Sequence, residues 1–287
     1  MESLLPHCLW GVTVLMGTTV IRTKYYGFNA LIAFLAAVSI WSDGGAQPSA
    51  DSLRAISERG RQLWEYDYAA WHGTDAVAPL VKDPLAVQAY VARPTPEGWV
   101  VSFGVLSTAA DTFFVNFEAR QVAGRPDSFI VKTVSPSRPD VDYLARAARA
   151  IELARTDFGP ITRSYNNAAL PAENGEWWVY TMPAQRYSNV WPLGGDARYR
   201  ISRDGRTILA KRRLHNTVLE VRVPDDTAGK VMKALMHTAV LDTIPEDTDV
   251  FHVLTRGIRI PEMVMTDKYI YKIETDGRIS LVSSVGR

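Results

Sequence analysis

Cysteine is almost absent from this sequence: the 287 residues contain one, Cys8. A single thiol cannot close a disulfide within the chain or build a cysteine-rich zinc site. An excess of charge is also missing, with 32 basic and 31 acidic residues and a net charge of +1. That balance gives no support for a nucleic-acid partner. No glycine-rich phosphate loop and no Gly-x-Ser-x-Gly nucleophile elbow occurs. No clean membrane-spanning run is present either. The uncharged apolar run 30–41 has twelve residues against the ~20 that a spanning helix needs. The earlier apolar stretch 4–21 is broken by Pro6, His7, Gly11 and Gly17.

What is present at the N-terminus has the grammar of a secretory leader. Arg22 and Lys24 precede the run 30–41, and the small-residue stretch 42–46 (Ser-Asp-Gly-Gly-Ala) follows it. The pattern predicts a leader and signal peptide over 1–46, cleaved after Ala46, and an exported protein, periplasmic or secreted. A membrane hairpin of 4–21 and 28–41 competes with this reading. A translation start at Met16 explains the extra apolar block more simply, since Met16 to Lys24 is then an ordinary basic leader. Any membrane contact is expected only through an uncleaved leader. The exported chain is expected to begin at Gln47, and N-terminal sequencing checks it; an intact Met1 overturns both export and the Met16 start. Cleavage removes two residues of each charge and Cys8, leaving a cysteine-free mature chain with the same balance.

Beyond the leader, periodicity predicts two segments, 47–137 and 138–287, which either pack separately or form one continuous domain. The first carries a helix over about 51–73, capped by Asp51. Leu53, Ile56, Leu63, Trp64, Tyr68 and Trp71 recur along it at helical spacing. Gly60 interrupts that stripe. Strands follow at about 87–93, 99–107, 112–121 and 128–134, and short turns between them favour an antiparallel meander. Two prolines make 135–140 the expected linker. The second segment opens with a helix whose apolar face is Leu144, Ala147, Ala148, Ile151, Ala154 and Phe158. Strands are expected near 165–170, 176–183, 197–203, 206–213, 231–238, 262–266, 269–274 and 278–283, with a short helix from about Pro245. The class is α+β, antiparallel sheets with a few packed helices. Asp204-Gly205 and Asp276-Gly277 sit in matching contexts, each preceded by Tyr-x-Ile, and predict two hairpins with type I′ turns.

One stretch has the look of a site. A strand delivers His237 to a loop that ends at acidic residues opening a helix, and Asp249 and His252 share one helical face. His237, Asp249 and His252 are the candidate metal ligands. His215 and His72 have no partner legible in the sequence. A second candidate is aromatic: Trp177, Trp178, Tyr187 and Trp191 cluster on a strand and the loop after it, and exposed rings of this kind stack on sugars. The basic residues from Arg198 to Arg213 read as the solvated face of a hairpin or as a surface for an anionic polymer.

Residues 237–283 faintly resemble the JAMM/MPN metalloprotease pattern: His-x-His-Pro, a short loop, then Ser-x-x-Asp opening a helix. The resemblance places His237 on the first His and Asp249 on the Asp. Ala239 stands where the second His belongs, Val240 where the Pro belongs, and Glu246 where the Ser belongs. It implies a degenerate zinc hydrolase. The stretches 191–198 and 248–255 resemble uncharacterised exported bacterial proteins, which implies no activity. The leading expectation is therefore a cofactor-free binding or structural protein, with a cell-envelope glycan or protein as partner and no nucleic acid. The alternative is a metal-dependent hydrolase using zinc.

Overall fold

The computed structural model describes residues 47–222 and 232–285. The leader, the Met16 start and Cys8 lie outside the described residues. Residues 47–287 form one compact unit. Among the described residues, no helix is long and apolar enough to cross a membrane.

Helix α1 (Ala50–Val77) is the spine of the fold. Its N-cap is Ser49 rather than the expected Asp51: the Ser49 hydroxyl accepts from the Ser52 N–H at 3.1 Å. Leu63, Tyr66, Ala69, Ala70 and Val77 bury its second half under the N-terminal sheet, and Leu53 and Ile56 bury its first half in a separate C-terminal core. Trp64, Tyr68 and Trp71 form an outer aromatic row instead of the expected core stripe, and Trp71 is 59% exposed. Gly60 does not break the helix. A Cβ there would meet the Asp247 carbonyl and the Val250 side chain, both at 2.5 Å, so the glycine permits a close crossing of two helices.

The predicted meander is present as β1 (Ala89–Thr95), β2 (Gly98–Ser107), β3 (Thr112–Val122) and β4 (Arg125–Asp140), antiparallel in that order. The expected linker at 135–140 is the far half of β4. Pro136 and Pro139 mislead because β4 is an edge strand, where a missing N–H costs no ladder bond. Helix α2 (Tyr143–Phe158) then packs its small face, with Ala147, Ala148 and Ala154 buried, against the next sheet.

That sheet contains β5 (Tyr165–Pro171), β6 (Trp177–Pro183), β8 (Ala197–Ile201) and β9 (Ile208–Arg213). Two short strands escape the sequence pattern, β7 (Val190–Gly194) and β10 (Val218–Arg222), which pair antiparallel with each other. The last sheet orders β11 (Leu235–Thr238), β12 (Glu262–Met265), β13 (Tyr269–Ile273) and β14 (Ile279–Ser284). Here β11 and β12 run parallel, because helix α3 (Asp247–Thr255) crosses over between them. The class is α+β, as predicted. Both Asp-Gly hairpins form, but not as type I′ turns. Only Gly205 and Gly277 have positive φ, 77° and 83°, and their N–H groups bond back three residues, to Ser202 and Glu274. The glycine alone takes the left-handed position after an ordinary turn.

Candidate metal centre

The β11–α3–β12 crossover assembles most of the site. Strand parity puts His237, Glu262 and Val264 on one buried face, and α3 covers that face through Val250 and Val253. Asp249 is the third residue of α3 and is fully buried. Its Oδ2 accepts the Glu246 N–H at 2.8 Å, half of a reciprocal capping box in which Glu246 caps the Asp249 N–H. That bond fixes the carboxylate and leaves Oδ1 turned toward the imidazoles.

A third segment supplies the second imidazole. Leu214 donates its N–H to the Asp196 carbonyl at 3.1 Å, which stitches the segment after β9 to the turn before β8. His215 Nδ1 then meets Asp196 Oδ1 at 2.8 Å, and His237 Nδ1 meets Glu262 Oε1 at 2.7 Å. Both Nε2 atoms converge on Asp249 Oδ1, at 3.0 Å from His215 and 3.1 Å from His237. Neither imidazole N–H direction meets that oxygen in hydrogen-bond geometry, so all three buried atoms lack a hydrogen-bond partner. Three such orphans at one point call for an explanation. Ligand atoms around a tetrahedral zinc with bonds near 2.0 Å lie about 3.3 Å apart, close to the two separations seen. His215, His237 and Asp249 are thus a set that can hold a metal ion.

The electrostatics suit a cation. Burial alone would push the Asp249 carboxyl up, but the two imidazoles hold it well below the usual carboxylate range. Burial pulls the histidines down, and Asp249 with its neighbouring carboxylates more than reverses this, raising His215 to about 11 and His237 to about 9. The pocket therefore draws positive charge to these ring nitrogens, as protons or as a metal. Behind it, Glu262 pairs with Arg256 at 2.8 Å.

His252 is not part of this group. It is buried behind Glu262, its Nε2 3.8 Å from Glu262 Oε2, and burial lowers it to about 4. The helical spacing of Asp249 and His252 is real, but the capping box turns Asp249 toward His215 and His237. His215 could not be found from the sequence, because its anchor Asp196 sits across a hairpin and no local pattern links them. Ala239, where the JAMM/MPN pattern has its second His, is buried in the C-terminal core.

A small cleft of about 60 Å³ opens beside the two imidazoles. Asn216, Thr217 and Thr238 add neutral hydrogen-bonding groups, and among the described residues no carboxylate lines it.

The aromatic candidates are dispersed. Trp177 is buried, packed edge-on against Tyr143, with its indole N–H donating to the Arg203 carbonyl at 3.2 Å. The ring of Trp178 lies under the guanidiniums of Arg59, Arg198 and Arg200 at 5.7, 5.1 and 4.6 Å. Tyr187 is 65% exposed and Trp191 half-buried. Among the described residues, no ring contact joins these four. The basic hairpin is largely paired: Arg198 with Asp247, Arg200 with Glu176, Arg206 with Asp111, Lys211 with Asp157 and Arg212 with Asp242.

The chain matches no family model, no curated protein and no solved structure.

Proposed function

We propose that this protein is a zinc-dependent hydrolase whose metal is held by His215, His237 and Asp249. One observation carries the reading: three buried ligand atoms converge at ion-pair distance without well-formed hydrogen bonds, while the far side of each ligand is already committed to another group. Carboxylates on the outer ring nitrogens are the usual support of zinc-bound histidines, since they fix the tautomer and the ring orientation. Three protein ligands beside an open cleft are the arrangement of catalytic rather than structural zinc. Bound there, zinc would polarise a substrate oxygen and supply a nucleophile from water near neutral pH. Asp196 and Glu262 hold the imidazoles, Glu246 holds the Asp249 carboxylate, and Asn216, Thr217 and Thr238 can orient a neutral polar group. The ligand set departs from the JAMM/MPN pattern, because its second histidine comes from a separate segment. The leader over 1–46 would place this chemistry outside the cytoplasm.

The test is metal analysis of the purified protein with zinc-dependent thermal shift. One zinc per chain is expected, and addition of zinc to chelator-treated protein should raise Tm. His215→Ala, His237→Ala and Asp249→Ala should each weaken zinc binding at least 100-fold on the order of a lost ligand, whereas His252→Ala should leave it within about threefold. Absence of zinc, or retention of full affinity in His215→Ala, overturns the assignment. A non-catalytic role survives that outcome, with the three residues as a protonated ion network.

A further inference from the structure

The walls of the cleft carry information about what would enter it. One wall is β11, which ends its sheet. The β11–β12 ladder is continued by the N–H groups of Leu235 and Ala239, which bond to Pro261 and Met265 at 3.0 and 2.9 Å. By strand alternation, the N–H and C=O of Met236 and Thr238 face the other edge, away from β12. His237 lies between them in sequence. The ligand imidazole and a strand edge unpaired among the described residues are thus presented by the same four-residue strand.

The opposite wall is the segment from Leu214 to Leu219, which enters β10, itself the end of a two-stranded sheet. Apart from the two histidines, no ionisable side chain among the described residues lines the cleft. Its rim is apolar and open: Leu219 is 50% exposed, Val240 71% and Leu241 43%. Isolated exposed apolar residues are ordinary, but three around one polar floor form a patch.

We infer that the site takes an extended peptide with uncharged, apolar side chains, laid along the free edge of β11 so that its backbone pairs with Met236 and Thr238. The inference rests on the zinc reading for its purpose, since this docking carries a backbone amide past His237. Strand addition accounts for both halves of the observation. Backbone groups on the edge supply main-chain hydrogen bonds, and the apolar rim receives alternate side chains. Beyond the two imidazoles and the charge they hold, a polyanionic ligand meets no Lys or Arg among the described lining residues. An acyl chain would use the rim but would leave the edge N–H and C=O groups unpaired.

The experiment titrates acetyl-Ala-Leu-Leu-Ala-amide into the 47–287 protein, zinc-loaded and metal-free, by calorimetry and by amide NMR shifts. Binding should shift the Met236 and Thr238 amides. Backbone N-methylation of both leucines should weaken it at least tenfold, as should replacing the leucines by glutamate. Thr238→Pro removes one outward N–H without touching the ladder, which an edge strand tolerates, and should weaken the peptide while zinc content is unchanged. Equal binding of the N-methylated peptide, unchanged binding in Thr238→Pro, or binding of octanoyl-amide in place of the peptide overturns the inference. The two readings fail separately. Zinc bound with no peptide bound removes only the peptide, and peptide bound to a chain that holds no zinc removes only the metal.

Discussion

Asp247→Ala should lower stability by about 3–5 kcal/mol, the usual cost of removing one partner from a buried ion pair. The reason is the company that Asp247 keeps at the first position of α3. Its side chain is fully buried, and Oδ1 accepts from Arg59 Nε at 3.1 Å on α1. Oδ2 accepts from the Tyr180 hydroxyl at 2.7 Å on β6 and from Arg198 on β8. Removing the carboxylate strands the Arg59 guanidinium and the Tyr180 phenol and leaves Arg198 with only Glu246 at 3.9 Å, the two guanidiniums being only 25% and 13% exposed. The Trp178 ring, within reach of both guanidiniums, cannot replace a carboxylate. For a domain of this size the loss corresponds to a fall in Tm on the order of 10 °C, measured by calorimetry on metal-free protein. Asp247→Asn keeps an acceptor for Tyr180 and should lose less. An alanine variant melting within about 2 °C of the parent would show that the hub contributes little. The variant should also loosen zinc binding, because Asp247 anchors the same helical turn that presents Asp249.

This hub illustrates what a sequence can and cannot disclose. The helices α1 and α2 and most strands were legible because burial imposes periods of 3.6 and 2 on neighbouring residues. The strand β7 was not, because Pro192 and Gly194 in five residues read as a turn, and only pairing with β10 makes it a strand. The far half of β4 was hidden for a related reason: proline punctuates a central strand but is harmless on an edge. At the site, His237 and Asp249 stood out because a strand, a loop and a capped helix lie within thirteen residues. His215 is tied to them by Asp196 and Asp249, 19 and 34 positions away, and no local pattern encodes that. His252 shares a helical face with Asp249, yet spacing says only which face residues share. The capping box and Glu262 decide which atoms face which. The contrast between β11–β12, which is parallel, and the other pairs was likewise unreadable until α3 was seen as a crossover.

Zinc should flatten the fall of stability with pH that the two histidines impose on the metal-free protein. In the metal-free protein, His215 is raised to about 11 and His237 to about 9. A histidine whose folded value is raised stabilises the fold fully below its unfolded value, near 6.5, and loses that contribution as pH rises through the folded value. Between about pH 6.5 and 9 the folded chain therefore retains two protons that the unfolded chain has released. Stability should fall by up to about 1.4 kcal/mol per pH unit for each retained proton. Asp249, lowered by the same imidazoles, acts at the other end: its contribution is present above the ordinary carboxylate range and lost as pH falls through it. Burial raises Glu246 to about 8, which adds a further decline from the ordinary carboxylate range up to about pH 8. Zinc must displace the two imidazole protons, so its affinity should climb by up to about two decades per pH unit over the same interval. The zinc-induced increment in Tm should grow from pH 6 to 8.5 while the metal-free Tm falls. The Glu246 contribution is common to both curves and cancels in that increment. In His215→Ala or His237→Ala the metal-free decline should be shallower and the increment nearly absent. Parallel curves with and without zinc would mean that the metal does not compete with these two protons, and so does not sit on these nitrogens.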